Sequence, residues 1–281
     1  MTIGAGMGAL AALLALGIFL AAVISLTVRG AQVTSRDVAW IAGAPEPSPA
    51  EADVYSRYLQ RHRTHRVVGG LLGALFAISV GTAWYGSVRI GVGSHSPLAD
   101  VLFCGLGGVL VGALSAESFR LSEPPSTTVS ASLAEHAGAS RPDLIWVARG
   151  ISVASLLGGG LIAATGHGLA PLCIAIGGLI ATLVAEATQS AISGRRRPIL
   201  SSRAQVVDLQ MRSFASTSVA LLQLASAVLT ATWIVSRVPG VDTGPLAPIQ
   251  VFVEIAGLAI TVVLLHRASP RPPRKWIAEP S

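Results

Sequence analysis

The sequence predicts an all-α integral membrane protein with seven transmembrane helices. Only 12% of the 281 residues are charged and the mean hydropathy is +0.65, whereas soluble domains carry about 25% charged residues. Seven runs with at most one charge each are about as long as a helix must be to cross the hydrocarbon core of a bilayer. These runs cover residues 3–28, 67–88, 98–116, 144–165, 169–193, 216–235 and 249–265.

The segments between these runs alternate in charge, and the alternation predicts their orientation. Three of them, 89–97, 166–168 and 236–248, are short and carry little charge. The others are longer and basic or mixed: 29–66, 117–143, 194–212 and 266–281. Because Lys and Arg accumulate in cytoplasmic loops, we expect the N-terminus outside and the C-terminus in the cytoplasm, in the inner (plasma) membrane. The net charge of +6 comes from these loops, so nucleic acid is not expected as a partner.

The first run forms a transmembrane helix over residues 1–28 rather than a signal peptide. It is longer than a signal-peptide core, and no basic segment precedes it.

Residues 29–66 are expected to form a cytoplasmic loop with an amphipathic helix. Ser48, Pro49 and Glu51 have the pattern of a capping box with proline at the first helical position, which predicts a helix start. The basic residues of this helix are candidate contacts for anionic lipid headgroups. The alternative is ordinary positive-inside charge on a helix that continues into the next span. These candidates are Arg57, Arg61, Arg63 and Arg66.

An internal repeat organises the rest of the chain into three related hairpins. A spacing of 69 residues aligns Cys104 with Cys173, Gly108 with Gly177 and Glu117 with Glu186. Similar turns, with Leu-Ala at 98–99, 169–170 and 246–247, precede the inward-going helices. We assign hairpin repeat 1 with its loop to 67–143, hairpin repeat 2 with its basic loop to 144–212, hairpin 3 to 213–266 and a basic, proline-rich tail to 267–281.

Small residues at four-residue spacing predict close contacts between helices, because they allow backbones to approach each other. The pairs are Gly4/Gly8, Gly69/Gly73 and Gly108/Gly112, with a further run at 158–160.

Four charged residues are candidates for ion pairs at the helix ends. Glu117 and Glu186 end inward-going spans, while Arg149 and Arg212 lie near the start of the next outward-going ones. At such a boundary a carboxylate and an arginine form a charge-assisted, bidentate pair. The alternative makes the two glutamates a proton or cation site facing a cytoplasmic vestibule. Glu254 is a candidate intramembrane polar site, unless its shallow position lets the side chain snorkel to the surface.

No signature of catalysis, nucleotide binding or metal binding is present. P-loop, H-E-x-x-H and G-x-S-x-G patterns are absent, and both cysteines lie inside apolar runs, so we expect neither a cofactor nor a metal. A second basic segment after the Glu186 helix is a further candidate for lipid headgroups. It contains Arg195, Arg196 and Arg197.

The Tyr55-x-x-Tyr58-Leu59 pattern, the Arg/His cluster up to Arg66, and the basic segment ending at Pro198 together resemble uncharacterised polytopic membrane proteins of high-GC actinobacteria. This resemblance implies no activity. The function we expect is a scaffold or partner subunit of a membrane complex, which binds another membrane protein or a second copy of itself and contacts anionic lipids. The alternatives are a transporter of a small or lipid-like solute and an intramembrane lipid-modifying enzyme.

Overall fold

The computed structural model describes residues 32–43, 47–85, 97–118, 141–194, 202–240, 246–269 and 271. All regular elements in these ranges are α-helices, which confirms the predicted all-α class. They are α1 (Ser35–Ala42), α2 (Pro49–Tyr85), α3 (Pro97–Ser118), α4 (Pro142–Ala164), α5 (Ala170–Gly194), α6 (Ser202–Val235) and α7 (Ala247–Arg267).

Four helices are long and apolar enough to cross a membrane: α4, α5, the Asp208–Val235 part of α6, and α7. A shorter apolar stretch covers Val101–Glu117 in α3. The bounds of α4, α5 and α7 agree with the predicted runs to within about two residues. The predicted first helix, residues 3–28, lies outside the described residues.

Helix α2 joins the basic segment to the apolar segment without a break. Its start is the predicted capping box, in which the Ser48 amide donates to Glu51 at 3.3 Å and the Glu51 amide donates to the Ser48 hydroxyl at 3.4 Å. At about 1.5 Å per residue its 37 residues extend over about 55 Å. The structure therefore favours the alternative in which the amphipathic segment continues into the next apolar run.

Glycines allow α2 and α3 to pack backbone against backbone, as their spacing predicted. A methyl group on Gly69 would overlap the carbonyl oxygen of Gly108, and one on Gly108 would overlap that of Gly69. Methyl groups on Gly73 and Gly112 would overlap the carbonyl oxygens of Cys104 and His65. The predicted pair Gly4/Gly8 lies outside the described residues.

Helix α6 lies at the centre of the bundle. In its most apolar stretch 67% of the residues are buried, against 28% in each of α4, α5 and α7. It packs closely against α3, α4, α5 and α7, and its Phe214 contacts the Tyr58 ring of α2. Its inward residues, such as Val219 and Leu222, pack with Phe103, Ala185 and Leu265 of three other helices. The outer helices surround α6 and turn most of their apolar surface outward.

A tight turn makes α4 and α5 antiparallel neighbours. Gly166 and Gly168 in this turn have φ values of 82° and 91°, a left-handed conformation that favours glycine. The N-terminus of α4 and the C-terminus of α5 therefore lie at the same end of the bundle. We call this end, which also holds the C-termini of α3 and α7, the basic end.

Candidate functional site

Arg149 on α4 and Glu186 on α5 form a bidentate ion pair. Arg149 Nε donates to Glu186 Oε1 at 2.6 Å and Nη2 donates to Oε2 at 2.8 Å. Gln223 of α6 adds a third hydrogen bond, with its side-chain nitrogen 3.1 Å from Oε1. The pair therefore connects three helices within their apolar stretches.

Further polar side chains continue from this pair along the same three helices. The hydroxyls of Ser152 and Thr182 are 2.9 Å apart and buried. Gln223 Oε1 and Ser155 Oγ are buried and make no hydrogen bond within the described part of the chain. We call this set the polar seam; it comprises Arg149, Ser152, Ser155, Thr182, Glu186 and Gln223.

Arg149 also lies at the surface of the bundle. Its side chain is 43% exposed and that of Glu186 is 25% exposed. The guanidinium carbon is 4.9 Å from the centre of the Trp146 ring, which is within the range of a cation–π contact. The outer part of the polar seam is thus a charged group beneath an exposed tryptophan.

Glu117, which the 69-residue spacing in the sequence aligns with Glu186, has different surroundings. Its side chain is fully buried at the end of α3. The Tyr58 hydroxyl of α2 donates to Oε1 at 2.9 Å, and His62 Nε2 is 3.0 Å from the same oxygen. The Tyr58 and His62 rings also contact each other, with centroids 4.5 Å apart. We call these three residues the Glu117 cluster, and they attach α2 to the end of α3.

Arg66, one helical turn beyond His62, bonds the C-terminus of α7. Its guanidinium donates to the carbonyls of Leu265 at 3.3 Å and Ala268 at 2.7 Å, and the Ser218 hydroxyl donates to the Ala268 carbonyl at 2.8 Å. These carbonyls have no partner in the helix itself, and a cation is favourable at a helix C-terminus. Burial lowers the pKa of Arg66 to about 10, although Tyr58 and Glu117 act to raise it. Arg66 therefore remains charged at neutral pH.

Arg63 points into a second interface, between α1 and α2. Its guanidinium is 3.0 Å from Asp37 and donates to the backbone carbonyl of Gln32. Asp37 itself accepts hydrogen bonds from the amide and hydroxyl of Thr34 at 2.8 and 2.9 Å. Burial alone would raise the pKa of Asp37, but the hydrogen bonds from Arg63 and Thr34 hold it below its ordinary value.

The prediction of headgroup contacts is therefore wrong for Arg63 and Arg66. Their side chains are buried, because the Asp37 carboxylate and the α7 carbonyls satisfy them inside the protein. Arg57 is exposed beside Asp53, and Arg61 lines an open groove on α2. The remaining candidates, Arg195, Arg196 and Arg197, lie outside the described residues.

The pairing of the helix-end charges also differs in part from the expectation. The partner of Glu186 is Arg149, on the preceding helix, and not Arg212. Arg212 Nε is 2.7 Å from the carboxylate of Asp208, one turn earlier in α6, so Arg212 forms its ion pair within its own helix. Glu117 contacts Tyr58 and His62 on α2, whereas Arg149 pairs with Glu186.

Glu254 lies on α7 and is 8% exposed. On the same face Gln250 donates to the carbonyl of Val235 at 3.1 Å. The carboxylate is thus turned toward α6, away from the outer surface.

The sequence analysis missed Tyr58 and His62 as parts of a polar cluster. Tyr58, His62 and Arg66 follow one another at four-residue intervals, which places them on one face of a helix. That spacing was a usable signal, but the partner of the face depends on how α2 packs on α3.

The contacts of these residues connect helices to one another. In the ranges that the structure describes, no three His, Cys, Asp or Glu side chains lie close enough to hold a metal ion. Comparison of the chain with protein-family models, with curated proteins and with solved structures found no match. The resemblance to actinobacterial membrane proteins stays a prediction.

Proposed function

We propose that this chain is a multi-pass plasma-membrane protein that serves as a scaffold or partner subunit of a membrane complex. The proposal includes seven spans: one N-terminal helix and three hairpins derived from a duplicated unit, with the N-terminus outside. The four long apolar helices support its place in a membrane, and the distribution of arginine supports the orientation.

The observation that carries the proposal is the exposed charge of Arg149. Arg149 lies seven residues into α4, about 10 Å from the start of the helix. The surrounding outer surface is apolar, since Trp146, Val153, Leu157 and Leu161 are each more than half exposed. A guanidinium that is 43% exposed thus interrupts an otherwise apolar helix face.

Lipid is a poor neighbour for such a group. Ionisable side chains within spans almost always face the bundle interior or a water-filled cavity, and polar groups at helix surfaces favour association with another helix. A polar residue on a partner helix would cover the outer side of the Arg149–Glu186 pair. The outer face of α4 is therefore the proposed interface.

Photo-crosslinking in native membranes tests this interface. A photoreactive phenylalanine analogue is placed at Leu157 on the α4 face and, as a matched control, at Phe252 on α7, which is 71% exposed and lies near Glu254, whose side chain is buried. We expect a protein adduct of defined mass from position 157 and only lipid adducts from position 252. Mass spectrometry of the adduct distinguishes a second copy from another membrane protein.

Arg149→Leu should abolish the adduct at position 157, and because this change also leaves Glu186 without its partner, adducts are compared at equal amounts of folded protein in the membrane. Lipid adducts alone at both positions would rule out a scaffold that uses this face.

A second candidate function is transport of a small or lipid-like solute, and the polar seam favours it. An ionisable Glu186 within a span is a functional candidate by default. Gln223 Oε1 and Ser155 Oγ, buried without hydrogen bonds in the described part of the chain, leave polar capacity beside it. In liposomes containing the purified protein, a Glu186→Gln variant that is stable and assembled yet loses a proton- or cation-coupled flux would place transport ahead of the scaffold role.

A further inference from the structure

An open groove runs along the polar part of α2, just before its apolar part. It has a volume of about 430 Å³ and is lined by Ser56, Arg57, Gln60, Arg61, Thr64 and His65. These residues form three adjacent pairs that repeat every four residues, so they occupy one broad face of the helix. His65 borders α3, since its Nδ1 is 3.0 Å from the Ser115 hydroxyl.

Unlike the other arginines of this helix, the arginines that line the groove are not buried. Arg63 and Arg66 on the same helix are buried against Asp37 and the α7 carbonyls. Arg57 remains exposed in the groove and is only partly neutralised by Asp53, since both side chains are more than half exposed. Arg61 also lines the groove, and its Nε makes no hydrogen bond in the described part of the chain.

The inner end of the groove lies at the depth of lipid headgroups. The uncharged run of α2 begins at residue 67, so Arg61 is about 9 Å and His65 about 3 Å of helix rise before it. The headgroup layer occupies about 5–8 Å on each side of the hydrocarbon core. His65 therefore lies within the headgroup layer and Arg61 lies just outside it, where a long arginine side chain can bend toward the phosphate esters.

We propose that this groove binds the phosphate of an anionic phospholipid. Arg61 provides a planar group of donors that suits a phosphate oxygen pair, Arg57 adds charge, and the Gln60 amide and Thr64 hydroxyl lie on the same face as further donors. The proposal goes beyond the scaffold role and does not depend on it.

Lipid binding to the purified full-length protein tests the proposal. Native mass spectrometry in mild detergent measures adducts of phosphatidylglycerol and of phosphatidylcholine, the zwitterionic reference. We expect the wild type to prefer phosphatidylglycerol. The double variant Arg57→Gln/Arg61→Gln should bind phosphatidylglycerol about 25-fold more weakly, because each arginine near a charged headgroup contributes about a factor of five.

Arg141→Gln is the matched control, because Arg141 is also exposed and lies 3.6 Å from a carboxylate, that of Asp143. It should keep the wild-type preference. Arg61→Lys keeps the charge but loses the planar donor group, and we expect an intermediate loss; it also serves if the double variant does not fold. Inorganic phosphate is titrated separately to distinguish a lipid site from a site for free phosphate.

Two results would overturn the proposal. The first is an unchanged preference for phosphatidylglycerol in the Arg57/Arg61 double variant, or in Arg61→Lys if only that variant folds. The second is binding of inorganic phosphate as tight as that of the lipid, which would show a site for the free anion.

Discussion

At the scale of single residues, the charged side chains of α2 are sorted by the partners available to them. Arg63 and Arg66 are buried beside a carboxylate and beside helix-end carbonyls, while Arg57 is exposed. A buried guanidinium is tolerated only when its donors and its charge are matched, because desolvation is otherwise costly. The residue type is the same at all three positions, so the surroundings decide which arginine is structural.

Glu186 should be required for stable folding. We predict that Glu186→Gln lowers the thermal stability and the yield of assembled protein, because Arg149 loses its bidentate partner inside an apolar stretch. The exchange Arg149→Glu/Glu186→Arg should restore much of both, and the vacant Gln223 Oε1 could then accept from the new arginine. Melting in detergent and size-exclusion profiles measure this.

Asp53→Asn is the matched control for that experiment. It disrupts the exposed Asp53–Arg57 pair, and exposed pairs contribute little. An equal loss in both variants, or none for Glu186→Gln, would contradict the structural role of Glu186.

The ion pair of Asp37 should make the docking of α1 sensitive to acid. The folded-state pKa of Asp37 lies below the ordinary value of 3.8. Its contribution to stability is therefore complete above pH 3.8 and is lost as the pH falls below it, through the lowered pKa. We predict that Asp37→Asn destabilises the protein at neutral pH by about 1–3 kcal/mol, and that this difference disappears at low pH.

Trp40 lies on α1 in contact with Phe214, with ring centroids 5.7 Å apart, so its fluorescence reports the docking of α1 in a background without the other tryptophans. A spectrum in which wild type and Asp37→Asn respond alike from pH 7 to pH 3 would show that the pair does not hold α1.

At the scale of helices, the sequence located the elements well but not their partners. The Ser48 capping box marks the start of α2 and the glycines of the 165–169 turn separate α4 from α5, because both signals are local. The partner of Glu186 depends instead on which helix lies beside α5. The short turn makes α4 that neighbour. Arg149 therefore pairs with Glu186, and Arg212 pairs with Asp208 instead.

The predicted repeat illustrates the same limit. Glu117 and Glu186 occupy equivalent positions in sequence, yet one is fully buried beside Tyr58 and His62 and the other is partly exposed beside Arg149. Similarly, Gly108 is in close contact with α2, whereas a methyl group on Gly177 would meet nothing within 4 Å. The neighbouring helix, which the repeat pattern does not specify, decides what each position does.

Packing of α2 on α3 should depend on particular glycines rather than on glycine content. We predict that Gly108→Ala destabilises the protein by about 1–3 kcal/mol, because its methyl group would overlap the Gly69 carbonyl and force the helices apart. Gly107→Ala in the same helix has open space around it and should be neutral or stabilising, since alanine is the better helix former by about 1 kcal/mol. Unfolding in detergent by chemical denaturant compares the two variants.

Equal effects of the two substitutions would show that α2 and α3 do not approach as closely as the structure indicates. Gly69→Ala provides the reciprocal test from the other helix and should match Gly108→Ala.

At the scale of the whole molecule, the contacts place the polar part of α2 and the C-termini of α3 and α7 at one end of the bundle. The Glu117 cluster joins the polar part of α2 to the end of α3. Arg66 joins α2 to the end of α7, and the α4–α5 turn puts residues 141 and 194 on the same side. The lipid groove of α2 and the Arg149 interface therefore belong to the same half of the protein.

Because these segments share one end of the bundle, a single membrane orientation determines on which side of the membrane all of them lie. Because arginine-rich segments stay in the cytoplasm, we predict that positions 57, 140 and 203 face the cytoplasm and that positions 94 and 243 face outward. Single cysteines replace Arg57, Ser140, Arg203, Ser94 and Thr243 in a background without Cys104 and Cys173. A membrane-impermeant maleimide applied to intact cells should label the cysteines at 94 and 243, and the other three only after permeabilisation. Labelling of Arg203→Cys in intact cells would show that the orientation is opposite to the predicted one. The Arg57/Arg61 groove would then not face the cytoplasmic leaflet.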